Sequence, residues 1–192
     1  MCHNLPLGEE FYEALRQVDL DLAEEARTQG CPSCGERLHR ADYDRKPRGG
    51  PEGSPAYVKR ISFCCERDGC RRRLTPPSVR FLGRRLYFAT VMVLVAVLRH
   101  GVTPRRIDRL HRVLGVSRRT LGRWRTWWRR TFVVTRCWRE ARGRIVPAID
   151  ENRLPRSIWD LFSGHWRARL LLVLRLLSPV TASPGCHLEH RS

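Results

Sequence analysis

Two short cysteine groups constrain this chain more than any other feature of it. Cys31 and Cys34 stand in CPSCG, where a two-residue gap lets both thiolates turn toward one ion and the following Gly35 permits the positive φ of a tight knuckle. The second group, FCCERDGC, offers Cys64, Cys65 and Cys70 after a gap of about thirty residues, as either C-x4-C from Cys65 or C-x5-C from Cys64. The shorter loop, with Asp68 and Gly69, is closer to the first knuckle and leaves Cys64 on the other face of a strand. Cys31, Cys34, Cys65 and Cys70 are therefore the expected metal ligands. His39 is a further candidate, read as a surface residue of the strand after the knuckle. Four thiolates close a tetrahedral site with no open position for water, so the expected ion is a structural Zn2+ that folds its module and performs no hydrolysis.

The surrounding residues agree with such a staple. The stretch RKPRGGPEGSPAY and the pair Pro76 and Pro77 exclude a long helix from residues 31–82, while Val58, Ile61 and Phe63 suggest a short strand running into the second cysteine turn. A β module of this size buries little apolar surface and needs the metal, as a zinc ribbon does. The start MCHNLPLGEE has no basic region followed by an apolar run, so a cytoplasmic, reducing location is expected, with cysteines as ligands or free thiols. Cys2, Cys137 and Cys186 are unpaired in the sequence and carry no assigned role. The apolar runs 88–98 and 170–177 fall short of the roughly 20 residues of a membrane span and read as buried helices, so no membrane partner is expected.

Charge is divided sharply along the chain. Residues 1–30 carry seven acids against two Arg, whereas residues 71–144 carry twenty-one Arg against Asp108 and Glu140 alone. More than the whole net charge of +18 sits in that central stretch, a field that attracts phosphate and weakens steeply with salt. With 42% hydrophobic residues the chain can bury cores, which argues against a wholly disordered basic tail. In the acidic segment, Phe11, Leu15, Val18, Leu22 and Ala26 follow helical spacing over residues 8–29, and Gly30 stops the helix. Residues 84–100 are strongly apolar and end at Gly101, which favours a helix, with their β-branched residues leaving a strand as the alternative.

The basic stretch TPRRIDRLHRVLGVSRRTLGRWRTWWRRTF, residues 103–132, has the pattern of a helix-turn-helix. Ile107, Leu110 and Leu114 form one stripe, Gly115 suits the left-handed position closing the first helix, Val116 plugs the junction and Ser117 is a good N-cap for the second. His111 departs from the small residue usual where the helices cross. At 100° per residue, Leu121, Trp124, Trp128 and Phe132 face inward, with Arg119, Arg123, Thr126 and Arg130 opposite. That outer row fits a major groove: Arg119 and Arg123 reach base edges, while Arg118, Arg125 and Arg129 meet phosphates.

The order of these segments carries a resemblance. A CPSCG knuckle, a second knuckle followed by RRRLTPPSVRFLGRRLY, and a unit of the form GVSRRTLGRWRTWW resemble the zinc-ribbon and helix-turn-helix front ends of bacterial transposases and related transposon-associated proteins, over about residues 30–132. The resemblance implies duplex DNA binding, with Cys31, Cys34, Cys65 and Cys70 in the ligand positions and residues 117–130 as the recognition helix. Those transposases carry a later nuclease domain whose three carboxylates hold two divalent metals. Here only Glu140, Asp150, Glu151, Asp160 and Glu189 follow the basic region, in proline-broken segments too short for that domain, so no catalytic residue and no enzymatic role is assigned.

The expected protein is mainly α with a small β zinc ribbon and a helix-turn-helix core. Its segments are an acidic helix in 1–30, the ribbon in 31–82, a helical region in 83–135, and C-terminal helical pieces with a frayed tail in 136–192. The expected role is a zinc-containing DNA-binding protein, transposase-like or transposon-accessory, cytoplasmic and nucleoid-associated. Two other readings stand beside it: the recognition subunit of a separately encoded transposase, and an RNA-binding or ribonucleoprotein assembly factor. A palindromic target would indicate a homodimer.

Overall fold

The acidic segment forms helix α1 (Glu9–Thr28), with Glu9 and Glu10 in its first turn and Arg27 in its last, each set against the opposite end of the helix dipole. The computed structural model describes residues 8–45, 55–82, 116–146 and 148–182, with Ala89, Val93 and Arg112. The buried face of α1 runs through Phe11, Tyr12, Leu15, Val18, Ala23 and Ala26, with Asp19 among them. Leu22, expected inside, is only half-buried, because the face is centred on Leu15, Asp19 and Ala26. Gly30 takes φ 76°, and a Cβ there would lie 2.6 Å from the Gly35 carbonyl oxygen. Glycine at this stop is thus required both by the backbone and by the close return of the first cysteine turn.

Short strands follow: β1 (Leu38–Arg40), β2 (Tyr43–Asp44), β3 (Lys59–Arg60), β4 (Phe63–Cys65) and β5 (Arg73–Leu74), with a helical turn α2 (Pro55–Val58) leading into β3. All pairings are antiparallel, and the larger sheet has the order β1-β4-β5. Leu38 lies opposite Cys65, Arg40 opposite Phe63, Tyr43 opposite Arg60, and Phe63 opposite Leu74. The β1/β4 and β2/β3 ladders keep one register, bridged by Ala41 N–H donating to the Ser62 carbonyl at 2.8 Å. They are one ladder interrupted where the Asp42 carboxylate, not a backbone carbonyl, accepts from Ser62 N–H at 3.2 Å. The expected strand through Val58, Ile61 and Phe63 is corrected accordingly: Val58 closes α2 and Ile61 lies in the interruption.

The described residues divide into two compact units, one within Met1–Phe88 and Leu177–Ser192, the other within Ala89–Leu176. In the first, Ala23 and Ala26 of α1 pack with Cys31, Leu38, Ile61, Phe63, Cys65 and Leu74, so the acidic helix and the cysteine sheet share a core across residue 30. Residues 76–82 are buried as well. Asp19 accepts from Ser78 Oγ (2.6 Å), Val79 N–H (2.7 Å) and Arg80 Nε (2.8 Å), while the Arg80 guanidinium donates onward to the Tyr57 and Lys59 carbonyls at 3.0 Å each.

In the second unit Ala89 and Val93 are helical and buried, as the apolar run predicts. The remainder of that run, and the first helix expected over 103–114 apart from a helical, exposed Arg112, lie outside the described residues, as does the tail 183–192. Helix α3 (Arg118–Thr126) continues into a wide π turn (Trp127–Thr131) and a 3-10 turn (Phe132–Val134). Thr135 then caps α4 (Arg136–Arg142), its hydroxyl accepting from Trp138 N–H at 3.3 Å. A 3-10 turn (Glu151–Arg153), α5 (Arg156–Asp160) and α6 (Trp166–Leu177) complete the described chain of this region. Leu170, Val173, Leu174 and Leu177 form the buried stripe of α6, the helix expected from the run 170–177. Among the described residues no helix is long and apolar enough to cross a membrane.

Candidate metal centre and basic helix

Both cysteine groups end in the same kind of turn. In the first, the Cys34 and Gly35 N–H groups donate to the Cys31 carbonyl (3.3 and 2.8 Å), with Gly35 at φ 73°. In the second, the Cys70 and Arg71 N–H groups donate to the Arg67 carbonyl (3.1 Å each), and Arg71 takes the left-handed position at φ 43°. The C-x4-C group thus closes with the same pair of backbone hydrogen bonds, started from Arg67 and not from a cysteine, and it also places Gly69 at φ 76°, where the first turn has Ser33. Arg72 Nη1 donates to Ser33 Oγ and ties the two turns together, a contact between residues far apart in sequence that no local motif announces.

The turns bring Cys31, Cys34, Cys65 and Cys70 together, with all four sulfur atoms within 4.8 Å of one another. Cys31 Sγ lies 3.8 Å from Cys70 Sγ, and Cys34 Sγ lies 3.5 Å from Cys65 Sγ. A tetrahedral tetrathiolate with metal–sulfur bonds of about 2.3 Å has edges of about 3.8 Å, close to both of these separations, so the group could hold one metal ion. Cys64 is outside the group, its Sγ directed to the Arg71 carbonyl at 3.5 Å on the opposite side of β4. His39 is also outside it: Nε2 sits 3.1 Å from Glu66 Oε2, with both side chains about half exposed.

The Cys31 and Cys65 thiols differ in acidity. Burial raises the Cys31 thiol, but hydrogen bonds from the Ser33 and Cys34 backbone and from the Cys34 and Cys65 side chains outweigh it and bring the group to about 7. Burial pushes the Cys65 thiol up to about 12, with Cys34, Cys31 and Cys70 adding to the rise against the Arg67 N–H. One thiolate suppresses the next in a shared low-dielectric space, and a cation at the centre is what permits all four to ionise.

Helix α3 is built as its sequence predicts at the start and not at the end. Ser117 is extended (φ −79°, ψ 160°), and its hydroxyl accepts from Thr120 N–H at 3.3 Å. Ser117→Ala is expected to cost about 1 kcal/mol and to lower hydrogen-exchange protection first in residues 118–121, read by exchange mass spectrometry or NMR. Thr120, Leu121 and Trp124 are buried, while Arg118, Arg119, Arg123, Arg125 and Thr126 are exposed. The Arg123 guanidinium donates to Thr120 Oγ1 at 3.4 Å, which leans it toward the helix start.

A straight helix to Phe132 is corrected by the π turn. Trp127, Trp128 and Phe132 are all buried, with centroids 4.7 Å apart for Trp127–Trp128 and 5.1 Å for Trp128–Phe132, and Phe132 meets Trp138 of α4 at 4.9 Å with the ring planes tilted by 42°. Fitting these rings into one cluster widens the backbone turn. Arg129 and Arg130 are exposed, but they stand on the wide turn and leave the regular spacing that aligns Arg119, Arg123 and Thr126.

The acids that follow are engaged locally. Glu140 pairs with Arg136 at 2.6 Å, and Asp150 accepts from Asn152 N–H at 2.9 Å. Glu151 accepts from Trp138 Nε1 (2.7 Å) and Arg142 Nη1 (2.8 Å), which hold its carboxyl below the usual range. Asp160 pairs with Arg156 at 2.8 Å. Glu189 lies outside the described residues. Comparison with protein-family models, with curated proteins and with solved structures finds no match for the chain.

Proposed function

We propose that this chain is a zinc-containing DNA-binding protein of transposase-like or transposon-accessory type. In this reading Cys31, Cys34, Cys65 and Cys70 hold a structural Zn2+ in a ribbon, and α3 is the second helix of a helix-turn-helix laid against duplex DNA. The observation that carries it is the division of α3, with Thr120, Leu121 and Trp124 inside and Arg118, Arg119, Arg123 and Arg125 outside behind the Ser117 cap. Arg118 and Arg119 occupy a first turn that holds no acid, where the helix dipole disfavours cations. Folding does not ask for them there. A phosphate at the same helix start is attracted by the guanidinium groups and by the free N–H groups together. Arg118 and Ser117 then position the backbone, Arg119 and Arg123 reach base edges, and Thr126 extends the contact, while the wide turn takes Arg130 off that row. The ion supplies folding free energy and no step of chemistry.

Selection of bound sequences from random duplex DNA, with structured RNA as competitor at fixed salt, tests the reading. An enriched duplex motif is expected, and a preference for RNA overturns it. Arg123→Ala is expected to relax discrimination at one base position by about 1–3 kcal/mol while lowering overall affinity less. A loss of equal size across all sequences makes Arg123 a phosphate contact instead.

A further inference from the structure

Outside α3 and the cysteine turns, the second unit holds a cluster in which positive charge exceeds what its one carboxylate balances. Asp160, the last residue of α5, forms a two-bond pair with Arg156, Nε to Oδ2 and Nη2 to Oδ1, both at 2.8 Å. Two more guanidinium groups converge on the same carboxylate at longer range, Arg169 of α6 at 3.6 Å and Arg153 of the preceding turn at 3.9 Å. Neither distance is a hydrogen bond. The neighbouring acids are committed elsewhere, Glu151 to Trp138 and Arg142 and Asp150 to the Asn152 backbone. Three cations therefore share one anion.

The 2.8 Å pair lies within α5, so Arg169 and Arg153 bring their charges to Asp160 from two other elements without a hydrogen bond to it. Their geometry is also suited to an oxyanion. Arg169 is anchored on Trp159: the same Nη2 that faces Asp160 donates to the Trp159 carbonyl at 2.7 Å, the guanidinium lies 4.8 Å from the Trp159 ring centroid, and Nε is buried without a hydrogen-bond partner. Trp159 is itself buried, so that fork is held against a fixed wall. Arg153 is 61% exposed and open to an incoming ligand. Planar guanidinium forks converging from different elements are the donors that tetrahedral oxyanions take in pairs.

We propose that Arg153, Arg156 and Arg169 form a binding site for a phosphate group, with Asp160 as a built-in competitor for the same donors. On the duplex-binding reading, on which the choice of source rests, that phosphate belongs to the DNA backbone and the site adds a contact apart from α3. Free phosphate has the same chemistry, and the two sources separate in the test. The full chain is titrated with inorganic phosphate by calorimetry against a chloride control, and with duplex DNA across a salt series. Arg153→Gln is expected to leave the thermal midpoint unchanged, to weaken phosphate binding about tenfold and to reduce the log–log salt slope for duplex by about 1. Asp160→Asn is expected to tighten phosphate binding, an outcome that a purely structural carboxylate does not produce. Arg153→Gln stands as the deciding variant where Asp160→Asn lowers stability. The site is overturned if phosphate gives no more heat than chloride, or if Arg153→Gln keeps the wild-type phosphate affinity and salt slope. Phosphate binding that Arg153→Gln abolishes, in a chain that binds no duplex, keeps the site and removes the DNA reading. Duplex binding with an unaltered slope does the reverse.

Discussion

Protein prepared under reducing conditions is expected to carry one Zn2+, and Cys34→Ser is expected to lose it together with the fold of the cysteine sheet. Among the described residues, the core around the four sulfurs buries Leu38, Ile61, Phe63 and Leu74 as its large apolar side chains, with Leu20 partly buried against them and Ala23 and Ala26 of α1 completing it. Each large side chain contributes about 1.5–3 kcal/mol on burial, against about 1–2 kcal/mol lost per ordered residue of backbone. A structural zinc supplies about 10–16 kcal/mol, as much as the whole stability of a typical domain. Native mass spectrometry reads the metal, and amide exchange over residues 31–45 and 59–74 reads the fold. Cys64→Ser is the control: its Sγ is outside the sulfur group and hydrogen-bonds the Arg71 carbonyl, so metal and protection should both persist. A metal-free wild-type chain that keeps full protection defeats the prediction, and so does a Cys34→Ser chain that does.

What was legible in the sequence follows from the range of the interactions. The knuckles are local, and the alternation of a strand alone separates Cys65, in the sulfur group, from Cys64, outside it. The inner stripe of α3 is legible for the same reason, since Leu121 and Trp124 obey the helical period that Ser117 starts. The π turn is not, because it depends on rings from Trp127 to Trp138 meeting in space. The break in the long ladder is equally hidden, since it rests on the Asp42 side chain replacing a backbone acceptor. Residues 76–82 read as punctuation because of Pro76 and Pro77, yet Ser78 and Arg80 are buried. Hydrophobic periodicity has no means of marking a polar residue that enters the core by pairing. Asp19 does fall on the apolar face of α1, between Leu15 and Ala23, and that misplaced acid was the available signal.

Asp19→Ala is expected to destabilise the first unit by about 3–5 kcal/mol, far more than any exposed ion pair here. The Asp19 and Arg80 side chains are 0% and 1% exposed, so removing the carboxylate strands a guanidinium away from water. It also leaves Ser78 Oγ and Val79 N–H without the acceptor that holds residues 76–82 against α1. A second buried guanidinium deepens the loss. Arg60 is 2% exposed, burial pushes its ionisation down, the Asp19 charge works against that, and the Arg80 and Arg45 charges work with it. Arg80 and Arg60 both lie near the Phe81 ring, whose centroid is 5.0 Å from Arg80 and 5.9 Å from Arg60. Without Asp19 the two cations repel in a low-dielectric interior. Replacing both partners by apolar residues is not expected to recover stability, because the Ala56, Tyr57 and Lys59 carbonyls accept from Arg80 and would lose their donor. Glu24→Ala supplies the contrast: its pair with Arg27 is short at 2.6 Å but exposed, and its removal is expected to leave stability nearly unchanged. Urea unfolding measures both. A loss under about 1 kcal/mol for Asp19→Ala would mean that water reaches Arg80 and that the buried network does not hold residues 76–82 in place.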